Sequence, residues 1–101
     1  MYSVIFSPES EDDLAEIFTN IALAGFPENA TRFTEAIYSY CLELKTFPHR
    51  GTARPNIAPG LRTIGFHRQV TILFQVQEAA RLVTIARILH GGRSLEKALN
   101  D

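Results

Sequence analysis

Arg87, His90 and Arg93 surround the glycine pair Gly91–Gly92 in the stretch RILHGGRS, residues 87–94. A fourth cationic group, Arg62, lies in LRTIGF, residues 61–66. Guanidinium groups stabilise a pentavalent phosphate and an imidazole moves a proton, so these are residue types that RNA cleavage requires. The reaction also needs a second proton-transfer group, and the sequence offers no convincing one. The same residues at a strand end serve equally well as contacts to a partner. An arginine on the open face of a strand commonly faces solvent or pairs with a carboxylate, and a histidine at a strand end is commonly just exposed.

Other chemistry is poorly supported. His49, His67 and His90 fall in a loop, a hairpin turn and a strand end, no pair has ligand spacing, and Cys41 is the only cysteine. No metal site or cofactor is therefore expected. No nucleophile elbow is present, and HGGR is too short for a phosphate loop and lacks the following Lys-Ser/Thr.

The elements that must position these groups follow from periodicity. YSVIF, residues 2–6, reads as a short strand. Ser7 offers an N-cap, Pro8 suits the first helical position, and four acids then favour the helix dipole. Leu14, Ile17, Phe18 and Ile21 follow helical spacing to an end near Gly25. A second helix starts around Pro27, with Phe33, Ile37, Tyr40 or Cys41, and Leu44 as its apolar stripe, and stops before Pro48. Cys41 falls on that stripe and reads as a packing residue. The short break predicts a helical hairpin.

Residues 48–60 hold three prolines and two glycines and read as a loop. From Leu61 the period becomes two. LRTIGF and VTILFQV are joined by HRQ, with Val70, Ile72, Phe74 and Val76 on one face of the second strand. That predicts a sheet with one face on the helices and one more open. LVTIARIL, residues 82–89, is apolar on both parities: Leu82, Ala86 and Ile88 against Val83, Ile85 and Leu89. It reads as an interior strand. A tail follows from His90 to Asp101, with a short helix expected from Ser94. The fold expected is α+β, a single domain over residues 1–101 in the order β-α-α-β-β-β, with the helical hairpin on a mostly antiparallel twisted sheet.

Composition bounds the class. The 101 residues are 46% hydrophobic and 21% charged, as in ordinary globular domains, and no apolar run spans a membrane. The N-terminus does not read as a signal peptide, and one cysteine permits no internal disulfide, so a cytoplasmic location is expected. The net charge of −1 hides a split. Residues 1–47 carry eight acids and two bases, and residues 48–101 carry eight bases and three acids. Such a split points either to a charged partner or to two halves that neutralise each other in the fold.

Taken in order, FSPESEDDLAEI, PENATRF, CLELKTFPHRG, GLRTIGF and VTIARILHGGR resemble the RelE/ParE superfamily of type II toxin–antitoxin toxins over nearly the whole chain. The ParE branch is most similar, through the pattern P-x-x-G…R…GLR and the run IARILHGGR. The resemblance implies a toxin neutralised by a cognate antitoxin. ParE-like members are described as poisons of DNA gyrase without chemistry of their own. RelE-like members cut mRNA in the ribosome with a lysine-rich surface and a C-terminal tyrosine or histidine. This chain has only Lys45 and Lys97, and no tyrosine after Tyr40. Its net charge is also unlike that of a protein docking in ribosomal RNA.

The expected function is thus a non-enzymatic toxin that binds gyrase. The alternatives are a ribosome-dependent endoribonuclease and a relative that binds antitoxin but poisons nothing. Arg62, Arg87, His90, Arg93, Leu95 and Leu99 are the expected contacts to target or antitoxin. For a nuclease, Arg62, Arg87 and His90 would be catalytic. No membrane contact and no direct sequence-specific nucleic-acid binding are expected.

Overall fold

Pro8 and Pro27 each open a helix, because a fixed φ suits the first turn and the missing N–H leaves no bond unmade there. In the computed structural model, which describes residues 1–91, α1 covers Pro8–Leu23 and α2 covers Pro27–Leu42. Ser7 caps α1 as expected, its Oγ accepting the Ser10 N–H at 3.0 Å. The chain leaves α1 at Ala24, and Gly25, with φ 101°, turns it into α2. The helices pack on each other as the expected hairpin. Ile17, Ile37 and Cys41 are buried on its inner face, while Leu44, expected at the end of the second helix's stripe, is buried from the 3₁₀ turn that follows α2. Burial pushes the Cys41 thiol up to about 12, which keeps it protonated and unreactive. Phe18 departs from the expected stripe. It is 39% exposed, because one position beyond Ile17 is a rotation of about 100° away from the core.

After a 3₁₀ turn at Glu43–Lys45, the chain adds strands to β1 (Ser3–Phe6): β2 (Thr52–Ala53), β3 (Leu61–Phe66), β4 (Val70–Gln77) and β5 (Leu82–His90). The sheet order is β1-β5-β4-β3-β2. β1 runs parallel to β5 and every other pair is antiparallel. The expected loop over 48–60 therefore contains a two-residue strand, too short to show a period. Gly51 precedes it at φ 73°, and a Cβ there would lie 2.1 Å from the Thr63 carbonyl oxygen.

Two further expectations are corrected on β5 and on the outer face. Leu73 pairs with Arg87 but Phe74 pairs with Ile85, so Ala86 is an extra residue at a β-bulge. The bulge switches the alternation. Ile88 joins Val83 and Ile85 in the core with Ile72, Phe74 and Val76, while Leu89 leaves that set. The outer face is also less open than expected. Leu61, Thr63, Leu73 and Leu89 are all buried, because β4 and β5 present apolar residues at both parities.

Gly51→Ala should be markedly destabilising, since the backbone oxygen cannot give way without disturbing the β2–β3 pairing. We expect a loss of about 2 kcal/mol, or about 8–16 °C in Tm, in thermal unfolding. Gly25→Ala, with nothing within 4 Å of the added Cβ, should lose less.

Candidate functional site

β1 ends at Phe6, paired with Ile85, while β5 continues to His90. An unpaired strand edge leaves buried N–H and C=O groups to be satisfied otherwise. Here the start of α1 supplies the partners. The Ser7 N–H donates to the Ile85 carbonyl at 2.9 Å, and Ser7 Oγ donates to the Ala86 carbonyl at 2.8 Å. Asp13 Oδ2 then accepts the Ile88 N–H at 2.8 Å. The same carboxylate grips Arg87, with Nε to Oδ2 at 2.9 Å and Nη2 to Oδ1 at 3.1 Å. Asp13 is 6% exposed. Arg87 is thus held rigidly, as its strand position suggests, by an acid from the other half of the chain. Glu43 reaches Arg50 at 3.5 Å in the same sense, so part of the charge split is neutralised within the fold.

Arg62 is committed elsewhere. Its Nε donates to the Arg50 carbonyl at 2.9 Å and its Nη2 to the His49 carbonyl at 3.3 Å, tying β3 to the loop that leaves the helices. His90 sits opposite Val70, with its ring 5.8 Å from that of Phe33, and borders a pocket of about 50 Å³ with Asp13, Glu16 and Asn20. Arg62 pairs with Phe74, four residues from Val70 along β4, or about 13 Å at the rise of a strand. The structure therefore does not gather Arg62, Arg87 and His90 at one reacting centre. Among the described residues, no hydrogen bond joins His90 to a second proton-transfer group. Arg93, Leu95, Leu99 and the expected helix from Ser94 lie outside the described residues, as does the tail beyond Gly91.

The end of the sheet near His90 also holds His67 and Arg68, which the sequence places in the connection between two strands. His67 and Arg68 take φ 50° and 60° in the β3–β4 turn, closed by the Gln69 N–H on the Phe66 carbonyl at 3.2 Å. Each non-glycine residue in this region costs about 1–2 kcal/mol, where Asn or Gly would sit easily. The Gly91 N–H donates to the Gln69 carbonyl at 3.0 Å, which brings the end of β5 against this turn. Rings lie beneath it: Phe66 is 4.2 Å from His67, 5.0 Å from Tyr40 and 6.1 Å from Phe33, measured between centroids. The Arg50 guanidinium stands 5.5 Å over Tyr40. His67 and Arg68 are exposed, and with His90 they give a polar rim on an aromatic floor, its positive charge supplied by the Arg68 and Arg50 guanidinium groups. Such a surface suits an anionic partner, whether carboxylate or phosphate.

A second polar cluster lies where the N-terminus, the loop at residue 49 and the β4–β5 turn meet. Tyr2 Oη donates to Glu78 Oε2 at 2.5 Å, and His49 Nε2 contacts Glu78 Oε1. The Tyr2 bond, then that of His49, holds the Glu78 carboxyl below its ordinary range, and the Tyr2 phenol is raised in turn by Glu78. All three side chains are exposed enough that this is a tie between segments rather than a buried core. Among the described residues, no group of His, Cys, Asp and Glu is arranged to hold a metal ion, and no helix is long and apolar enough to cross a membrane.

The sequence model described as the ParE toxin of the type II toxin–antitoxin system parDE matches residues 4–95. The chain belongs to the ParE toxin family. Among solved structures, a chromosomal ParDE system from P. aeruginosa is 25% identical, with a TM-score of 0.75 over 90% of this chain and 97% of that one. The RelBE2 toxin–antitoxin complex from Mycobacterium tuberculosis is 20% identical, with a TM-score of 0.67 over 88% and 96%. The isolated RelE toxin of E. coli is 13% identical, with a TM-score of 0.65 over 99% and 95%. The latter two share the fold: two helices on a mixed five-stranded sheet. No curated protein matched the chain. The ParE-family match includes Arg62, Arg87, His90, Arg93 and Leu95 and stops short of Leu99.

In this ParE-family chain, Asp13→Ala should cost about 3–5 kcal/mol in urea unfolding, because it strands both the Ile88 N–H and the Arg87 cation. Arg87→Ala should then cost much less in the Asp13→Ala background than alone. The Glu78 tie should be pH-dependent. Its carboxyl is depressed on folding, so its contribution is present above the ordinary carboxylate range and is lost as pH falls through the depressed value. The Tyr2 phenol is raised, so the bond is kept below the ordinary phenol range and is lost as pH rises through the raised value. Glu78→Gln should flatten the acid side of the Tm–pH curve and lower the Tyr2 titration midpoint seen by NMR.

Proposed function

We propose that this chain is the toxin of a type II toxin–antitoxin module, neutralised by a cognate antitoxin, and that it arrests growth in the cytoplasm by binding DNA gyrase. The family match over residues 4–95 carries this reading. The state of the expected catalytic groups supports a binding role. Arg87 is engaged by Asp13, Arg62 by two backbone carbonyls, and the two arginines have no shared focus with His90. A binding toxin needs only a shaped, charged surface, and the turn at His67–Arg68 beside His90 provides one. Its backbone strain is the kind that persists where surrounding structure enforces it, often at functional sites.

A second reading is favoured by that same surface. Cations over aromatic rings also suit RNA, so a ribosome-dependent endoribonuclease with His90 in proton transfer is the competing function.

Purified chain should inhibit gyrase supercoiling and accumulate cleaved DNA complexes, and His90→Ala should weaken that inhibition without changing Tm or antitoxin binding. Unchanged supercoiling by a chain that still stops growth would sink the gyrase reading. Cuts at the ribosomal A site in primer extension would establish the nuclease instead.

A further inference from the structure

β1 is an edge strand, and its free side is unprotected. Tyr2, Val4 and Phe6 pack their side chains against the core, while Ser3 and Ile5 face away from it, Ile5 being 48% exposed. The backbone alternates in the plane of the sheet. The Ser3 N–H goes to the Arg81 carbonyl and the Ser7 N–H to the Ile85 carbonyl, each at 2.9 Å, so the odd-numbered residues serve β5. Val4 and Phe6 therefore hold their N–H and C=O groups toward the free edge. The Tyr2 N–H, on that same side, is taken by the Lys45 carbonyl at 2.9 Å. Among the described residues, no strand pairs with β1 there, and no hydrogen bond reaches Val4 or Phe6. Edge strands are usually blunted by a charge, a proline or a bulge, and SVIF carries none of these.

Register decides what fits this edge. Consider a second β1 laid antiparallel on the first. Centred on Val4, the pair would set Tyr2 against Phe6, and the Tyr2 N–H is already used. Centred on Phe6, it would set Val4 against Pro8, which has no N–H. Centred on Ile5, Val4 of one copy faces Phe6 of the other, and each couple exchanges both backbone bonds. Ile5 then lies against Ile5 of the second copy as the close pair without hydrogen bonds, which covers its exposed side chain. The chain ends agree with this centre. Beyond Phe6 the chain turns into α1, so the added strand stops where the Lys45 carbonyl closes the edge. Charge agrees as well. Lys45 of one copy comes to the start of α1 in the other, where Glu9, Glu11 and Asp12 are exposed. Arg81 stands at the Lys45 end, 5.9 Å over the Tyr2 ring, and Glu78 at that end is tied to Tyr2 and His49. A two-fold axis at Ile5 repeats these contacts, so opposite charges meet at both ends of the seam.

We infer that the free edge of β1 pairs with β1 of a second copy of this chain, antiparallel and centred on Ile5, to give a two-fold dimer with a continuous sheet. This goes beyond the toxin–antitoxin reading and does not depend on it. The seam is short, so the dimer is weak and forms reversibly with concentration. It satisfies the edge amides that would otherwise be open to strands of other chains.

The test is sedimentation of the full chain over a wide range of concentration, with amide exchange followed by NMR. Wild-type chain should pass from monomer to dimer as concentration rises. The Val4 and Phe6 amides should gain protection in step, while those of Ser3 and Ser7, bonded to β5 and its turn in either state, should not change. Ile5→Lys alters an exposed position and sets like charges opposite each other. It should weaken the dimer by about tenfold or more at unchanged Tm. Lys45→Glu should weaken it by roughly threefold to tenfold at low ionic strength, because two symmetric pairs are lost, and the loss should shrink as salt is added. A wild-type chain that stays monomeric at every concentration would overturn the proposal. So would a dimer that Ile5→Lys leaves intact. A dimer lost with Ile5→Lys but indifferent to Lys45→Glu at low salt would overturn the register. Protection of Val4 and Phe6 that appears only when the protein encoded beside this chain is added would assign the edge to that partner instead.

Discussion

The short length of β1 governs much of this structure. β1 covers only the first part of β5, so β5 emerges with an open edge inside a packed domain. Ser7 and Asp13 close that edge from α1, and Asp13 does so with one buried carboxylate that serves a backbone N–H and a guanidinium at once. A charge in such a place is stable only while all its partners are present. The position of α1, the bulge at Ala86 and the orientation of Arg87 are therefore one arrangement rather than three.

From that arrangement the two ends of the functional surface follow. With α1 fixed across β5, α2 brings Phe33 and Tyr40 under the β3–β4 turn, and Gly91 bonds back to Gln69. The result is a rim of His67, Arg68 and His90 over rings, with the Arg68 and Arg50 guanidinium groups as its positive charge. On the far side of the hairpin, the same packing leaves Phe18 and Tyr38 facing outward among acids. The chain's acidic first half and basic second half are thus partly joined by Asp13–Arg87 and Glu43–Arg50, and partly displayed on separate faces.

Much of the fold was legible from residue order. Ser7 as cap, Pro8 and Pro27 as helix starts, and the hairpin break near Gly25 act through local geometry, and they occur where expected. The strands at 61–66 and 70–77 were legible for the same reason. Phe18, β2 and the faces of β5 were not. Phe18 fits a helical apolar pattern that is wider than the true core stripe. β2 is two residues long, and the bulge moves Ile88 and Leu89 between faces without any mark in composition. The candidate site was legible only as residue types. The sequence marks Arg62 and Arg87 as cations and His90 as a group that could move a proton, but the arginines' partners are two loop carbonyls and a carboxylate far away in the chain.

By itself, the sequence determined the family, the elements and the unequal distribution of charge, because these depend on local order and spacing. Tertiary structure alone decided what the charges do. The pairing of Asp13 with Arg87 spans 74 positions, and the approach of His90 to His67 and Arg68 depends on how β5 pairs with β4. Contacts between distant residues are fixed by register, bulge and helix packing, and none of these is written in the neighbourhood of any one residue.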